Sequence, residues 1–241
     1  MGKLTLIPTP IGNLEDITLR ALRTLKEVEI LLCEDTRTTG QLLKHYQIEQ
    51  NLQAYHQHNE HQTVQKWVDE LKNSPKHIGL VTDAGTPAIS DPGFLLVRQC
   101  LAANIEVECL VGAVAFVPAL VKSGLPSEKF CFEGFIPQKK GRQTYLKAIE
   151  SETRTLIFYE SPHRILKTLE DFKSHFEPER KISVSRELTK LYEETFSGTI
   201  PEAIEHFNKK IPKGEFVIVL QGKNDTPKQI QNTQTEHQRC L

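Results

Sequence analysis

The sequence predicts an α/β protein, and three observations carry that prediction. Short β-branched and apolar runs alternate with apolar stripes at helical spacing. Polar loops rich in glycine and proline separate the two kinds of segment. No apolar stretch approaches the roughly 18 residues that a membrane span needs.

Taken in order, Leu4-Thr5-Leu6-Ile7 reads as a short buried strand closed by the punctuation Thr9-Pro10-Ile11-Gly12-Asn13. Leu19, Leu22 and Leu25 then recur at helical spacing, with Asp16 or Thr18 available as the N-terminal cap. Residues 30–33 form a second strand that ends in Glu34-Asp35-Thr36-Arg37. A helix near residues 42–46 and a strand at 52–55 lead to a helix carrying Val64, Trp67, Val68 and Leu71 on one stripe. Residues 77–82 are a strand stopped by Asp83-Ala84-Gly85-Thr86-Pro87; a helix over 94–103 and a strand over 106–111 follow, ending at Gly112. This alternation of strand, loop and helix predicts a parallel sheet with crossover helices.

Ser123-Gly124-Leu125-Pro126-Ser127 packs turn formers between an apolar helix and a new strand, which places a domain boundary there. The expected domains are residues 1–122 and 123–222. In the second, strands are expected at 130–133, 155–159, 182–185 and 216–220, and helices near 145–149, 165–172 and 201–207. Thr199 with Glu202 reads as a capping box, and Pro201 suits a first helical turn. Residues 223–241 are a polar tail in which disorder is expected.

The 241 residues carry 30 basic and 31 acidic side chains, a formal net charge of −1, with 38% hydrophobic and 25% charged residues. That balance excludes wholesale disorder and the strongly basic composition of a non-specific nucleic-acid binder, so any RNA contact must come from local patches. Cys33, Cys100, Cys109, Cys131 and Cys240 show no C-x-x-C pairing, which fits a reducing compartment. The apolar run at the start reaches Pro8 too soon for a signal-peptide core, and a cytoplasmic location is expected. His56, His58 and His61 lack the H-E-x-x-H arrangement, and no metal is expected.

In an open α/β sheet, ligands gather beyond the carboxyl ends of the strands. Four loops qualify: residues 9–13, 34–37, 83–93 and 111–115. Neither a G-x-G-x-x-G fingerprint after the first strand nor a Walker loop is present, which removes direct support for nicotinamide or nucleoside-triphosphate chemistry. The second half contributes Phe158-Tyr159-Glu160-Ser161-Pro162-His163-Arg164 and Ser185-Arg186-Glu187-Leu188-Thr189-Lys190, each after a strand. Lys139-Lys140-Gly141-Arg142 joins three positive charges to a flexible glycine.

The run Leu6-Ile7-Pro8-Thr9-Pro10-Ile11-Gly12-Asn13-Leu14-Glu15-Asp16-Ile17-Thr18 closely resembles the ribosomal RNA small-subunit methyltransferase I family of the tetrapyrrole methylase superfamily. Further matches are Glu34 to Arg37, His58-Asn59-Glu60, Asp83 through Gly93, Phe132-Glu133-Gly134-Phe135, Phe158 to Arg164, Arg186 to Lys190 and Gly214-Glu215-Phe216-Val217. The resemblance spans roughly residues 4–222. It implies a two-domain tetrapyrrole methylase-like α/β fold with S-adenosylmethionine in a cleft between the domains, and a homodimer. It also implies methylation of a cytidine ribose 2′-hydroxyl in 16S ribosomal RNA of the small subunit.

By the same resemblance, Pro10 and Gly12 shape the cofactor or substrate entrance, and Asp83, Ala84, Gly85 and Ser90 lie nearest the methionine and ribose. Phe158, Tyr159, Pro212 and Phe216 would close around adenine. One segment departs: Val111-Gly112-Ala113-Val114-Ala115 stands where the family usually has Pro-Gly-Pro-Ser-Ala, leaving Gly112 at its cofactor position but with a less rigid turn and one hydroxyl fewer. The small C-terminal extension frequent in the family is replaced by the polar tail. Methyl transfer to a hydroxyl needs a proton acceptor, for which Asp35, Glu187 and Lys190 are candidates; an ionised carboxylate suits better than a protonated lysine, which could instead steady phosphate or oxyanion charge. Arg37, Arg164 and Arg186 suit phosphate clamps, and Lys139, Lys140 and Arg142 suit docking of the RNA backbone. Competing readings are a superfamily methylase acting on a tetrapyrrole or a protein residue, and a catalytically impaired ribosome-binding assembly factor.

Overall fold

The structure is a computed structural model that describes residues 1–223. The disorder expected of the polar tail and the placement of Cys240 therefore concern, from residue 224 onward, positions outside the described residues.

The chain divides into two compact units, the first spanning Met1–Ala115. Its sheet contains β1 (Lys3–Leu6), β2 (Ile30–Cys33), β3 (Leu52–Ala54), β4 (His77–Val81) and β5 (Glu106–Cys109), in the order β3-β2-β4-β1-β5. Every neighbouring pair is parallel. Strand β2, Ile-Leu-Leu-Cys, is apolar along its whole length because helices cover both faces. On β2, Leu31 and Cys33 share a cluster with Ala21, Leu25 and Leu43. Leu32, pointing the other way, packs with Val64, Trp67, Val68, Leu71, Leu96 and Cys100. Helices α1 (Leu19–Glu27) and α2 (Thr36–His45) thus cover one face, and α3 (Glu60–Asn73) and α4 (Phe94–Ala102) the other.

Thr18 caps α1: its hydroxyl accepts the Ala21 N–H at 3.0 Å, while Asp16 ends a short 3-10 turn, Leu14–Asp16. Helix α2 begins at Thr36, earlier than the apolar pattern suggests. Its first turn is Thr36-Arg37-Thr38-Thr39, whose polarity hides the helical period, and Asp35 supplies the cap by accepting the Arg37 N–H at 2.8 Å.

The second unit begins at Phe116. Its sheet, β6-β7-β10-β8-β9, contains β6 (Phe130–Phe135), β7 (Thr155–Glu160), β8 (Lys181–Arg186), β9 (Glu194–Thr199) and β10 (Phe216–Leu220). Only β6 and β7 run parallel; the other pairs are antiparallel. Helix α5 (Phe116–Ser123), which precedes the turn-rich segment and was assigned with residues 1–122 on sequence, packs on β7, β8 and β10. The compact units consequently divide between Ala115 and Phe116. Strand β9 is absent from the sequence reading, because Glu-Thr-Phe-Ser-Gly-Thr places one apolar residue among polar ones. Its place is set by pairing with β8, from Lys181 opposite Thr199 to Arg186 opposite Glu194.

Helices α6 (Arg142–Ile149), α7 (Ile165–His175) and α8 (Ile200–Asn208) supply Leu146, Ile165, Leu169, Phe172, Ile200, Ala203 and Phe207 to the second core. The capping box of α8 is present: Glu202 accepts the Thr199 N–H at 2.8 Å.

Candidate functional site

All five strands of the first sheet are parallel, so their carboxyl ends share one edge and the loops after β1, β2, β4 and β5 meet there. The chain leaves the adjacent central strands β1 and β4 toward opposite sides, which is the switch point where open α/β sheets hold ligands.

Specific hydrogen bonds tie these loops together. Thr9 and Gly85 form an antiparallel bridge, Thr9 N–H to Gly85 O at 2.9 Å and Gly85 N–H to Thr9 O at 3.0 Å. The Thr9 hydroxyl donates to Thr82 O at 3.1 Å, and the Thr86 hydroxyl donates to Ala113 O at 2.9 Å. A Cβ at Gly112 would stand 2.3 Å from the Pro8 Cβ, so the β5 loop can lie on the β1 loop only with glycine there. Gly85 has φ +84, a conformation that disfavours any side chain.

Beyond the bridge, the chain doubles back through Ala88 at φ 70 and Ser90 at φ 63, closed by Ala88 N–H to Pro92 O at 3.1 Å. Left-handed non-glycine residues cost of order 1 kcal/mol or more each and cluster at functional sites. Pro10 and Gly85 are buried in the knot, whereas Gly12, Asp83, Ala84 and Ser90 are exposed at its surface. Thr82 Oγ1 is buried and has no hydrogen-bond partner among the described residues.

The end of β2 adds carboxylates. The Asp35 N–H donates to Asp83 Oδ1 at 3.2 Å. Arg37, though 85% exposed, commits its guanidinium to Asp35 through contacts of 3.1 and 2.6 Å. Its side-chain and backbone hydrogen bonds hold the Asp35 carboxyl down to about 2. Asp83 and Glu34 are pushed up, chiefly by lost hydration and, for Glu34, also by the charge of Asp83. Asp35 is therefore a helix cap and a weak proton acceptor. Arg37 is its ion-pair partner and reaches a phosphate only by leaving that pair.

In the second unit several expected site residues have structural roles. Arg142 is only 4% exposed and bonds Asp171 at 2.7 Å, Thr168 Oγ1 at 2.9 Å and Pro137 O at 3.2 Å, which corrects its assignment to a docking patch; Lys139 and Lys140 beside it are exposed. Arg164 pairs with the fully buried Glu160 at 2.7 Å, and Glu160 also accepts the Thr168 hydroxyl at 2.7 Å. Arg186 pairs with Glu194 at 3.0 Å. The Phe158 and Phe216 rings lie in the core against Phe172 and Phe207, so neither ring can close on an adenine. Tyr159 is half-buried against Phe132 and Phe135, and Pro212 is half-buried.

Glu187 and Lys190 are paired at 2.9 Å, and Lys190 also reaches Glu215 at 2.9 Å. Burial opposes charge on both, but the Glu215 N–H and Lys190 hold Glu187 below the usual carboxylate range, and the two glutamates hold Lys190 above the usual lysine range. A protonated lysine accepts no proton, which removes Lys190 from that role. The residues that sequence reasoning overlooked are Thr9, Thr82 and Thr86. Each is an ordinary loop threonine whose partner lies on another strand's loop, and only the Thr-Pro pairs Thr9-Pro10 and Thr86-Pro87 hint at them.

A model of the tetrapyrrole (corrin/porphyrin) methylases matches residues 3–204. The ribosomal RNA small subunit methyltransferase I of Thermotoga maritima is 46% identical over 92% of this chain and 100% of its own length. The proteins of the same name from Synechocystis and Escherichia coli O157:H7 are each 48% identical over 92% of this chain, covering 80% and 78% of their own lengths. Among solved structures, the methyltransferase CobJ superposes with a TM-score of 0.69 at 17% identity, covering 94% of this chain and 98% of that one. A uroporphyrin-III-C-methyltransferase from Thermus thermophilus gives 0.64 at 19%, over 91% and 94%. At such identities the two structures speak for the fold alone. The relatives, near half identity over 92% of this chain, go further: this chain belongs to the ribosomal RNA small subunit methyltransferase I family, within the tetrapyrrole methylases.

Proposed function

We propose that this protein transfers the methyl group of S-adenosylmethionine to the 2′-oxygen of a cytidine ribose in the 16S RNA of the small ribosomal subunit. The observation that carries the reading is the match to the Thermotoga maritima protein, which leaves no part of that relative uncovered. The first unit's carboxyl edge suits the cofactor. It offers exposed residues at Gly12, Asp83, Ala84 and Ser90, a buried Thr82 hydroxyl without a partner among the described residues, a glycine at 85 whose left-handed φ disfavours a side chain, and a glycine at 112 where the loops pack too closely for one.

When bound, S-adenosylmethionine supplies an electrophilic methyl group on a positively charged sulfur. Glu34, Asp35 and Asp83 make this edge acidic, which favours a cationic ligand. The tied loops hold their peptide groups in fixed positions, and such positioning can supply much of the rate enhancement of an in-line displacement. The ribose hydroxyl loses its proton as the oxygen–carbon bond forms. Asp83 and Glu34, raised from the ordinary carboxylate range, are stronger acceptors than Asp35. Lys139 and Lys140, exposed on the second unit, are suited to the RNA backbone.

Unmodified small subunits incubated with labelled S-adenosylmethionine should acquire a methyl group that nucleoside mass spectrometry locates on a cytidine 2′-oxygen. A base-linked methyl, or modification of a tetrapyrrole but not of the subunit, overturns the assignment. The reading includes a cytoplasmic homodimer, for which sedimentation at micromolar concentration should give twice the chain mass. Among the described residues no helix is long and apolar enough to cross a membrane.

A further inference from the structure

The β8–β9 connection is held to the loop before β10 and to α5 by hydrogen bonds and ion pairs. It passes through Glu187 at φ 51 and Thr189 at φ 66, both left-handed and neither glycine. The Glu187 N–H donates to Glu215 O at 2.9 Å, and the Glu215 N–H returns to Glu187 Oε1 at 3.0 Å. Lys190 bridges the same two carboxylates. A Cβ on Gly214 would meet Glu187 Cγ at 2.4 Å, so the loop before β10 lies directly on the loop after β8. On the far side, Glu193 accepts the Thr189 N–H at 2.7 Å and pairs with Lys122 of α5.

These two fastened loops present Leu191 at 88%, Tyr192 at 69% and Ile211 at 86% exposure. Large apolar side chains on a rigid support, turned to solvent, mark an interaction surface. Beside Ile211 stand Lys210 and Lys213, neither of which makes an ion pair among the described residues. An exposed aromatic ring on one of two fastened loops, with two lysines free of ion pairs on the other, suits a nucleic-acid strand, because the ring stacks on a base while the ammonium groups meet phosphates.

We propose that the edge formed by residues 188–193 and 209–214 docks an unpaired stretch of the substrate RNA, with Tyr192 stacking on a base and Lys210 and Lys213 on the neighbouring phosphates. This rests on the reading of the substrate as ribosomal RNA and adds the surface that grips it.

The test measures equilibrium binding of the full chain to unmodified small subunits across a salt series, for wild type, Tyr192→Ala, Tyr192→Phe and Lys210→Ala/Lys213→Ala. Tyr192→Ala should weaken binding by about 5- to 150-fold, the range for losing one stacked base, and Tyr192→Phe should stay near wild type. The lysine double variant should lower the slope of log affinity against log salt by about 1.4. Calorimetry with S-adenosylmethionine should give the same affinity for all four proteins, which separates a lost docking surface from a lost fold. Wild-type affinity in both alanine variants overturns the proposal, as does an equal loss in Tyr192→Phe, or a variant that changes only the sedimenting mass. Wild-type protein that binds no subunits overturns the functional reading instead.

Discussion

The two units use charge in opposite ways. In the first, Glu34, Asp35, Arg37 and Asp83 stand at the accessible carboxyl edge of a parallel sheet. In the second, Arg142, Asp171, Thr168, Glu160 and Arg164 form a largely buried chain of ion pairs and hydrogen bonds that joins α6 and α7 to the end of β7. Arg37 and Arg164 looked alike in sequence, each an arginine in a segment that follows a strand. The difference lies in sheet direction. A parallel sheet delivers every strand's carboxyl end to one edge, where several loops can converge on a ligand. A mostly antiparallel sheet divides those ends between two edges, and its charged loop residues are free to serve the core.

The sharpest way to break this comparison is to remove a charge from the second unit. Asp171→Ala should cost about 3–5 kcal/mol, because it strands the buried Arg142 guanidinium without its carboxylate. Two compact units need not unfold together, so the measurement should resolve them. Trp67, the sole tryptophan, sits in the first core and its emission reports that unit, whereas hydrogen exchange in β7 and α7 reports the other. Unchanged exchange in β7 and α7 would make the network ornamental.

A smaller effect is expected where the first unit's loops cross. Gly112→Ala should cost about 1–3 kcal/mol through overpacking against Pro8, and it should weaken S-adenosylmethionine binding in calorimetry by at least about tenfold. Full retention of affinity would place the cofactor away from these loops. Thr86→Val removes only the bond to Ala113 O and should cost about 1 kcal/mol in urea unfolding followed by Trp67 emission.

The smallest effect concerns pH. Glu152, bonded to Arg154 by two side-chain contacts of 2.8 and 2.7 Å, is held down to about 2, below its unfolded value of roughly 4.3. Its stabilisation is therefore complete above about pH 4.3 and disappears as the pH falls through about 2. Because Arg154 is half exposed, solvent screening keeps the pair's contribution small at neutral pH. Glu152→Gln should be slightly less stable than wild type at pH 7 and equal to it near pH 2 in urea titrations; a difference that persists at pH 2 would assign the effect to something other than charge.

Local pattern was most informative where burial is one-sided or complete. Strands β2 and β10 occupy the expected residues, and Val64, Trp67, Val68 and Leu71 are the buried stripe of α3. The capping box at Thr199 and Glu202 was legible because both partners lie within one turn. Strand β9 was not, since an edge strand with half-buried faces carries no clear alternation. The start of α2 was hidden for a related reason: its first turn is polar, and its cap, Asp35, resembled a catalytic carboxylate as much as a helix terminus.

The sequence by itself determined the alternation of strands and helices, the family, and the loops that follow β1, β4 and β5, because periodicity and ordered motifs are properties of neighbouring residues. Only the tertiary structure decided that Thr9 bonds Gly85, that Thr86 bonds Ala113, that Arg142 is buried and Lys139 is not, and that Glu187 fastens to Glu215. Those partners are 27 to 76 residues apart in the bonds named here, from Thr86 with Ala113 to Thr9 with Gly85. No local propensity selects between a charge facing water and a charge facing the core. That choice is made when the strands take their order, since packing then sets which polar groups lose water and must find one another.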